Sequence, residues 1–107
     1  MAYCQLWLTC KDKAEADKIT NTLLVKHLVA CVRQMPISSS YWWEGKIEQS
    51  EETMLLMESK LENFAKVEAE IAKIHSYKTF VLEAVAVKKI SKGAAAWLER
   101  EASNGEA

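Results

Sequence analysis

Residues 40–60, SYWWEGKIEQSEETMLLMESK, constrain the fold of this chain more than any other stretch. They have the pattern of a long β-hairpin. Tyr41, Trp42 and Trp43 favour extended backbone, Glu44-Gly45-Lys46 supplies a tight reversal, and Ile47 resumes a strand. Gly45 is one of three glycines in the chain, and it stands where a reversal needs positive φ. The second arm ends in Met54-Leu55-Leu56-Met57, an unbroken apolar run suited to a strand buried on both faces. Arms this long overreach a small core. Trp42 and Trp43 alternate in direction, so both rings are buried only if the hairpin is covered on two sides. Another copy of the chain is the simplest cover.

The flanking sequence supplies the body. Tyr3–Cys10 is a strand with Cys4, Leu6, Leu8 and Cys10 on one face. Asp12 caps a helix over 13–27, with Glu15 at the capping-box position and Ala16, Ile19, Leu23 and His27 on its apolar stripe. A second strand begins at 29–32, and Pro36 marks an edge, a bulge or a bend in it. Ser59, with Glu62 three residues on, forms a second capping box for a helix carrying Phe64, Val67, Ile71 and Ile74 and ending near His75. A fourth strand follows over 79–87. Ser91 then caps a short helix over 94–101, and 103–107 has the composition of a frayed tail. The order β-α-β-β-α-β, with no linker, predicts one α+β domain over 1–107. It is a split βαβ sandwich, with an antiparallel sheet and two helices on one face.

Composition removes several functions. Net charge is −1, from 14 basic and 15 acidic residues, which argues against a nucleic-acid partner. No apolar stretch approaches a membrane span, and the N-terminus lacks a signal-peptide layout, so a cytoplasmic location is expected. The strand ETMLLMES has no stacking aromatics for RNA, and Arg33 and Arg100 sit in no phosphate-cradling loop. With no P-loop, GxSxG or HExxH, the chain is not expected to be an enzyme.

Three cysteines remain, Cys4, Cys10 and Cys31, with no CxxC pair, and two histidines, His27 and His75. Free buried thiols are the ordinary outcome, and a soft-metal site the rival. Each histidine stands at the end of a predicted helix, where it can favour the dipole. For His75 the alternative is metal ligation, because imidazole with thiolate suits Cu or Zn. The topology does not require Cys10 and His75 to meet within one chain. Glu48, Glu51 and Glu52 read as a solvated face of the hairpin.

These segments resemble the CutA family of divalent-cation tolerance proteins from Leu6 to about Glu99. The match lies in Leu8-Thr9-Cys10 with Asp12, Leu28-Val29-Ala30-Cys31-Val32, and Tyr41 with Trp43-Glu44-Gly45-Lys46, Glu48 and Glu52. His75 with Tyr77 and Ala96-Trp97-Leu98 complete it. The resemblance implies a ferredoxin-like fold in a tight homotrimer, with hairpin arms of neighbouring subunits pairing edge to edge. Its subunit contacts would centre on Tyr41, Trp42, Trp43, Glu44, Gly45 and Lys46. It further implies binding of Cu(II) or another divalent metal, not required for folding, and no enzymatic activity. His75 and Cys10 are the candidate ligands, with Tyr77 beside them. One departure is plain. Where the family has His-Pro-Tyr-Glu and then Pro-Glu, this chain has His75-Ser76-Tyr77-Lys78-Thr79-Phe80-Val81. Both acids are lost, and Lys78 disfavours a nearby cation. A trimeric signalling or scaffold protein is the alternative, taking a small anion or a protein partner at subunit clefts through Lys78, Lys88, Lys89 and Lys92.

Overall fold

The computed structural model describes residues 2–103. Its elements run β1 (Tyr3–Cys10), α1 (Lys13–Val25), β2 (Cys31–Trp43), β3 (Lys46–Lys60), a 3₁₀ turn (Leu61–Asn63), α2 (Phe64–Ala72), β4 (Leu82–Ala86) and α3 (Lys92–Glu101). The strands form one antiparallel sheet in the order β2-β3-β1-β4. This is the α+β, ferredoxin-like split βαβ arrangement that the element order predicts. Strict alternation along β1 buries Cys4, Leu6, Leu8 and Cys10, which pack with Leu55 and Met57 of β3 and Ile19, Leu23, Val67 and Ile71 of the helices.

α1 begins as expected, with Asp12 Oδ1 accepting the Glu15 N–H at 2.9 Å. It ends at Val25, short of His27, for a local reason. The His27 N–H donates to Leu24 O and the Leu28 N–H to Leu23 O, each at 3.0 Å. That pairing closes a helix through a left-handed residue, and His27 takes the position at φ 53° where glycine is usual. His27 therefore does not cap its own helix. Its Nδ1–H donates to the Glu101 carbonyl at 2.8 Å and ties α3 to α1.

The second capping box does not form. Pairing with β1 carries β3 through Ser59 to Lys60, opposite Tyr3, so Ser59 is buried strand rather than cap. Its Oγ donates to Leu28 O at 2.7 Å. Asn63 precedes α2 and sends Nδ2 to Leu28 O at 3.1 Å and Ala102 O at 2.9 Å. These two side chains join the end of α1, the end of β3 and the end of α3. The fourth strand is shorter than 79–87, and α3 starts at Lys92 rather than Ala94. Ser103 is packed rather than frayed: its Oγ donates to Glu99 O and accepts from Lys60 Nζ. The remainder of the predicted tail, 104–107, lies outside the described residues.

Pro36 neither ends nor breaks β2, which runs on for 13 residues. β2 is an edge strand, where a missing donor is tolerated. The hairpin closes through Glu44 at φ 50° and Gly45 at φ 78°, a two-residue turn between Trp43 and Lys46. β1 reaches β3 only as far as Thr53, opposite Cys10. From Glu52 outward β3 has β2 alone as neighbour, and the two-stranded arm stretches the chain to 45 Å in its longest dimension. Trp42 and Trp43 lie on opposite faces of it, 72% and 51% exposed. Trp43 shares its face with Met35, Met54, Leu56 and Trp7, the sheet face turned away from the core. The run 54–57 is thus buried on the helix side and half-buried on the other. The Trp7 Nε1–H is buried there with no hydrogen-bond partner among the described residues.

Asn63→Ala should cost about 1–3 kcal/mol, the range for leaving buried carbonyls without their donor. Equilibrium urea unfolding measures it. An unchanged midpoint would show that Asn63 does not hold these ends together.

Candidate functional site

β1 runs antiparallel to β4, with Leu8 opposite Leu82, so the segment entering β4 lies beside the end of β1. Cys10, last in β1, points inward by alternation. Asp12 starts α1 two residues later, which sets Glu15 in the first helical turn over the same spot. α2 ends at Ala72, and His75 follows in the returning segment. The structure brings Cys10 and His75 together within one chain, which the element order alone does not require, and adds Glu15. One ligand atom from each lies within 4.8 Å of the others. Among the described residues this is the one such group of three with metal-ligand chemistry.

Every polar side-chain atom of Glu15 and His75 is already engaged. The His75 imidazole is fully buried. Its Nε2 lies 2.9 Å from the Thr9 carbonyl, which can only accept, so Nε2 carries the hydrogen. Its Nδ1 accepts the Tyr77 N–H at 3.0 Å. These bonds define the neutral Nε2–H tautomer, with no lone pair free. The histidine does not cap α2 through its side chain. Glu15 Oε1 accepts the Lys11 N–H at 2.9 Å and Oε2 accepts the Ser76 N–H at 2.7 Å. Glu15 Oε1 stands 3.8 Å from His75 Nδ1. Burial pushes the Glu15 carboxyl up, but the bonds from Lys11 and Ser76 outweigh it and hold the group below its ordinary range. The Cys10 thiol is pushed up to about 12, first by burial and then by Glu15, Asp12 and Glu52, so it is protonated at neutral pH.

Tyr77 links this cluster to the arm. Its ring lies 5.0 Å from that of His75, while Phe80 stacks on His75 at 5.2 Å and 23°. The Tyr77 hydroxyl donates to Glu52 Oε2 at 2.7 Å, and burial and that carboxylate both raise its pKa. Glu52 is only 7% exposed, which corrects its reading as part of a solvated face. Glu48 and Glu51 remain exposed, with Glu51 accepting from Ser38 Oγ at 2.8 Å. Glu15 was legible only as a capping acid. No spacing signal in the sequence joins it to His75, 60 residues on in the chain.

The other sequence candidates lie apart. Tyr41, Trp42, Trp43, Glu44, Gly45 and Lys46 form the outer arm, where the Tyr41 hydroxyl meets Ser50 Oγ at 3.2 Å. Cys4 is buried at the other end of β1 with its thiol raised to about 11, and Cys31 is half-buried at the start of β2. Lys78, Lys88, Lys89 and Lys92 are exposed. Among the described residues, no helix is long and apolar enough to cross a membrane.

Comparison with known proteins places this geometry in a family. The sequence profile described as CutA1 divalent ion tolerance protein matches residues 4–101. A divalent-cation tolerance protein CutA from Archaeoglobus fulgidus is 36% identical over 94 residues, covering 88% of this chain and 92% of that one. A solved structure of CutA from that organism, described as periplasmic, superposes with a TM-score of 0.93 at 34% identity, over 94% of this chain and 99% of the other. The crystal structure of CutA from Xylella fastidiosa matches with a TM-score of 0.90 at 28% identity, over 94% and 98%. The chain belongs to the CutA1 divalent ion tolerance protein family.

Because the folded Glu15 carboxyl titrates below its unfolded value, its contribution to stability is present above about pH 4.3 and lost as pH falls through the folded value. Glu15→Gln should lower the melting temperature at neutral pH and flatten its fall between about pH 5 and 3. Calorimetry over that range checks it, and equal acid slopes in the two proteins would refute the assignment.

Proposed function

We propose that the protein is a closed homotrimer that binds divalent metal ions, Cu(II) or a related ion, as its part in metal tolerance. It acts in the cytoplasm and catalyses no reaction of its own. The observation that carries the metal reading is the convergence of Cys10, Glu15 and His75 within 4.8 Å, a sulfur, oxygen and nitrogen set. Thiolate, imidazole and carboxylate are together the donors that copper and zinc prefer over harder cations. A bound ion would supply the positive charge that lets Cys10 stand as thiolate.

The same site supports a fold that forms without metal. Its carboxylate and imidazole are satisfied by backbone partners without an ion. An ion enters only by exchange. The Cys10 proton must leave, and an imidazole nitrogen must give up its hydrogen bond. Both requirements weaken binding and make it pH-dependent. Lys78, two residues beyond Ser76, adds unfavourable charge to this surface.

The trimer reading is supported by surfaces that one chain leaves open. The sheet face bearing Trp7, Met35, Met54 and Leu56 is only half-buried in one chain, and Trp42, Trp43 and Ile47 are exposed on the arm. β2 and β4 are both free edges in a single chain, and cyclic closure removes edges. Three unpaired cysteines suit a reducing compartment.

Multi-angle light scattering at micromolar concentration should give the mass of three chains, and a monomer alone would end the trimer reading. Titration calorimetry with Cu(II) and Zn(II) should show affinity falling as pH is lowered, because binding must release the Cys10 proton. His75→Ala and Cys10→Ser should each weaken binding without dissociating the trimer. Undiminished binding in both would remove this cluster as the site.

A further inference from the structure

We propose that ion capture at Cys10, Glu15 and His75 and anchoring of the hairpin arm at Glu52 oppose each other, with Tyr77 as the element that belongs to both. The inference rests on the metal reading above and concerns how that site is controlled.

The geometry sets the conflict. Nδ1 is the His75 nitrogen near Glu15, at 3.8 Å, and is therefore the one a cation shared with Glu15 would need. The Tyr77 N–H occupies its lone pair at 3.0 Å. The other nitrogen carries a hydrogen, directed at Thr9 O in the sheet. A cation at Nδ1 must displace the Tyr77 amide, so residue 77 has to shift its backbone. Residue 77 is tethered at its far end: its hydroxyl donates to Glu52 Oε2 at 2.7 Å, in a buried setting.

Glu52 holds a particular place. It is opposite Ile37, one residue beyond the last pairing of β3 with β1, where the sheet narrows to the two-stranded arm. Tyr77 is thus a strut between the imidazole and the root of the arm. A residue held at both ends resists displacement at either. The phenol–carboxylate bond therefore disfavours the ion, and by reciprocity the ion loosens the root of the arm. Metal content and the seating of the arm become one equilibrium, which gives a tolerance protein a way to report ion uptake at its assembly surface.

The test uses the full chain and Zn(II), which cannot oxidise Cys10. Calorimetry compares the parent with Tyr77→Phe, which keeps the ring and removes only the tether. Amide hydrogen exchange is followed at residues 37–38 and 51–53 with and without Zn(II). The variant should bind Zn(II) at least about 5-fold more tightly, the lower range of measured couplings. Zn(II) should speed exchange at those residues in the parent. In Tyr77→Phe they should exchange faster already and respond less. Equal or weaker Zn(II) binding in Tyr77→Phe, with exchange in the parent unmoved by Zn(II), would overturn the linkage and leave the metal reading standing. Absence of Zn(II) binding to either protein would overturn the metal reading and the linkage with it.

Discussion

β3 lives in two environments, and the division between them organises the molecule. From Thr53 to Lys60 it is a central strand, paired with β1 on one side and β2 on the other. From Lys46 to Glu52 it has β2 alone. The inner half has α1 and α2 on one face, and Leu55 and Met57 are fully buried there. The outer half has neither helix nor third strand. A two-stranded ribbon by itself is marginal in water. The boundary falls at the end of β1, and the end of β1 is also where Cys10, Thr9 and the start of α1 assemble the polar cluster. One strand terminus therefore fixes both the root of the arm and the floor of the candidate site.

That cluster shows what a buried polar group demands. Glu15 is withdrawn from water, yet two backbone amides keep it ionised, because hydrogen bonds to the charged form outweigh the cost of burial. Cys10 beside it has no such help, and burial next to carboxylates leaves its thiol protonated. The imidazole is fixed in one tautomer by a carbonyl on one side and an amide on the other. Proximity of ligand-type atoms is thus only half of a metal site. The other half is a lone pair free to coordinate, and here it must be released by moving something else. Coordination asks for free lone pairs, and in this arrangement those of Glu15 and of His75 Nδ1 face backbone N–H groups of the same chain.

Much of the fold was legible because it depends on local pattern. Period-two alternation gave β1, Asp12 with Glu15 gave the start of α1, and Gly45 gave the reversal. What failed depended on contacts distant in sequence. Ser59 has all the marks of a cap, but tertiary pairing with β1 keeps it in the strand, where its hydroxyl serves Leu28 instead. His27 fits an apolar stripe, but the helix closes two residues before it. Glu52 looks like its neighbours Glu48 and Glu51, and only Tyr77, 25 residues on, makes it different. The candidate site was half legible for the same reason. His75 and Tyr77 were visible through the resemblance, and Cys10 by its chemistry. Glu15 was hidden in a capping role, and the meeting of Cys10, Glu15 and His75 required the antiparallel pairing of β1 with β4.

The outer arm poses the remaining energetic question. Its order in one chain rests on cross-strand pairs, on lateral bonds such as Ser38 to Glu51 and Tyr41 to Ser50, and on the Tyr77 strut at its root. Exposed bonds of this kind contribute about 0.5–1.5 kcal/mol each at most. Against them stand two tryptophans and Ile47 held in water, and the Trp7 N–H buried on the adjoining face without a partner among the described residues. Each of the exposed aromatic side chains would gain on the order of 1.5–3 kcal/mol from full burial. The gain from covering the arm therefore exceeds what these lateral bonds contribute in the isolated chain, and the Tyr77 strut holds the root of the arm to the segment that carries His75.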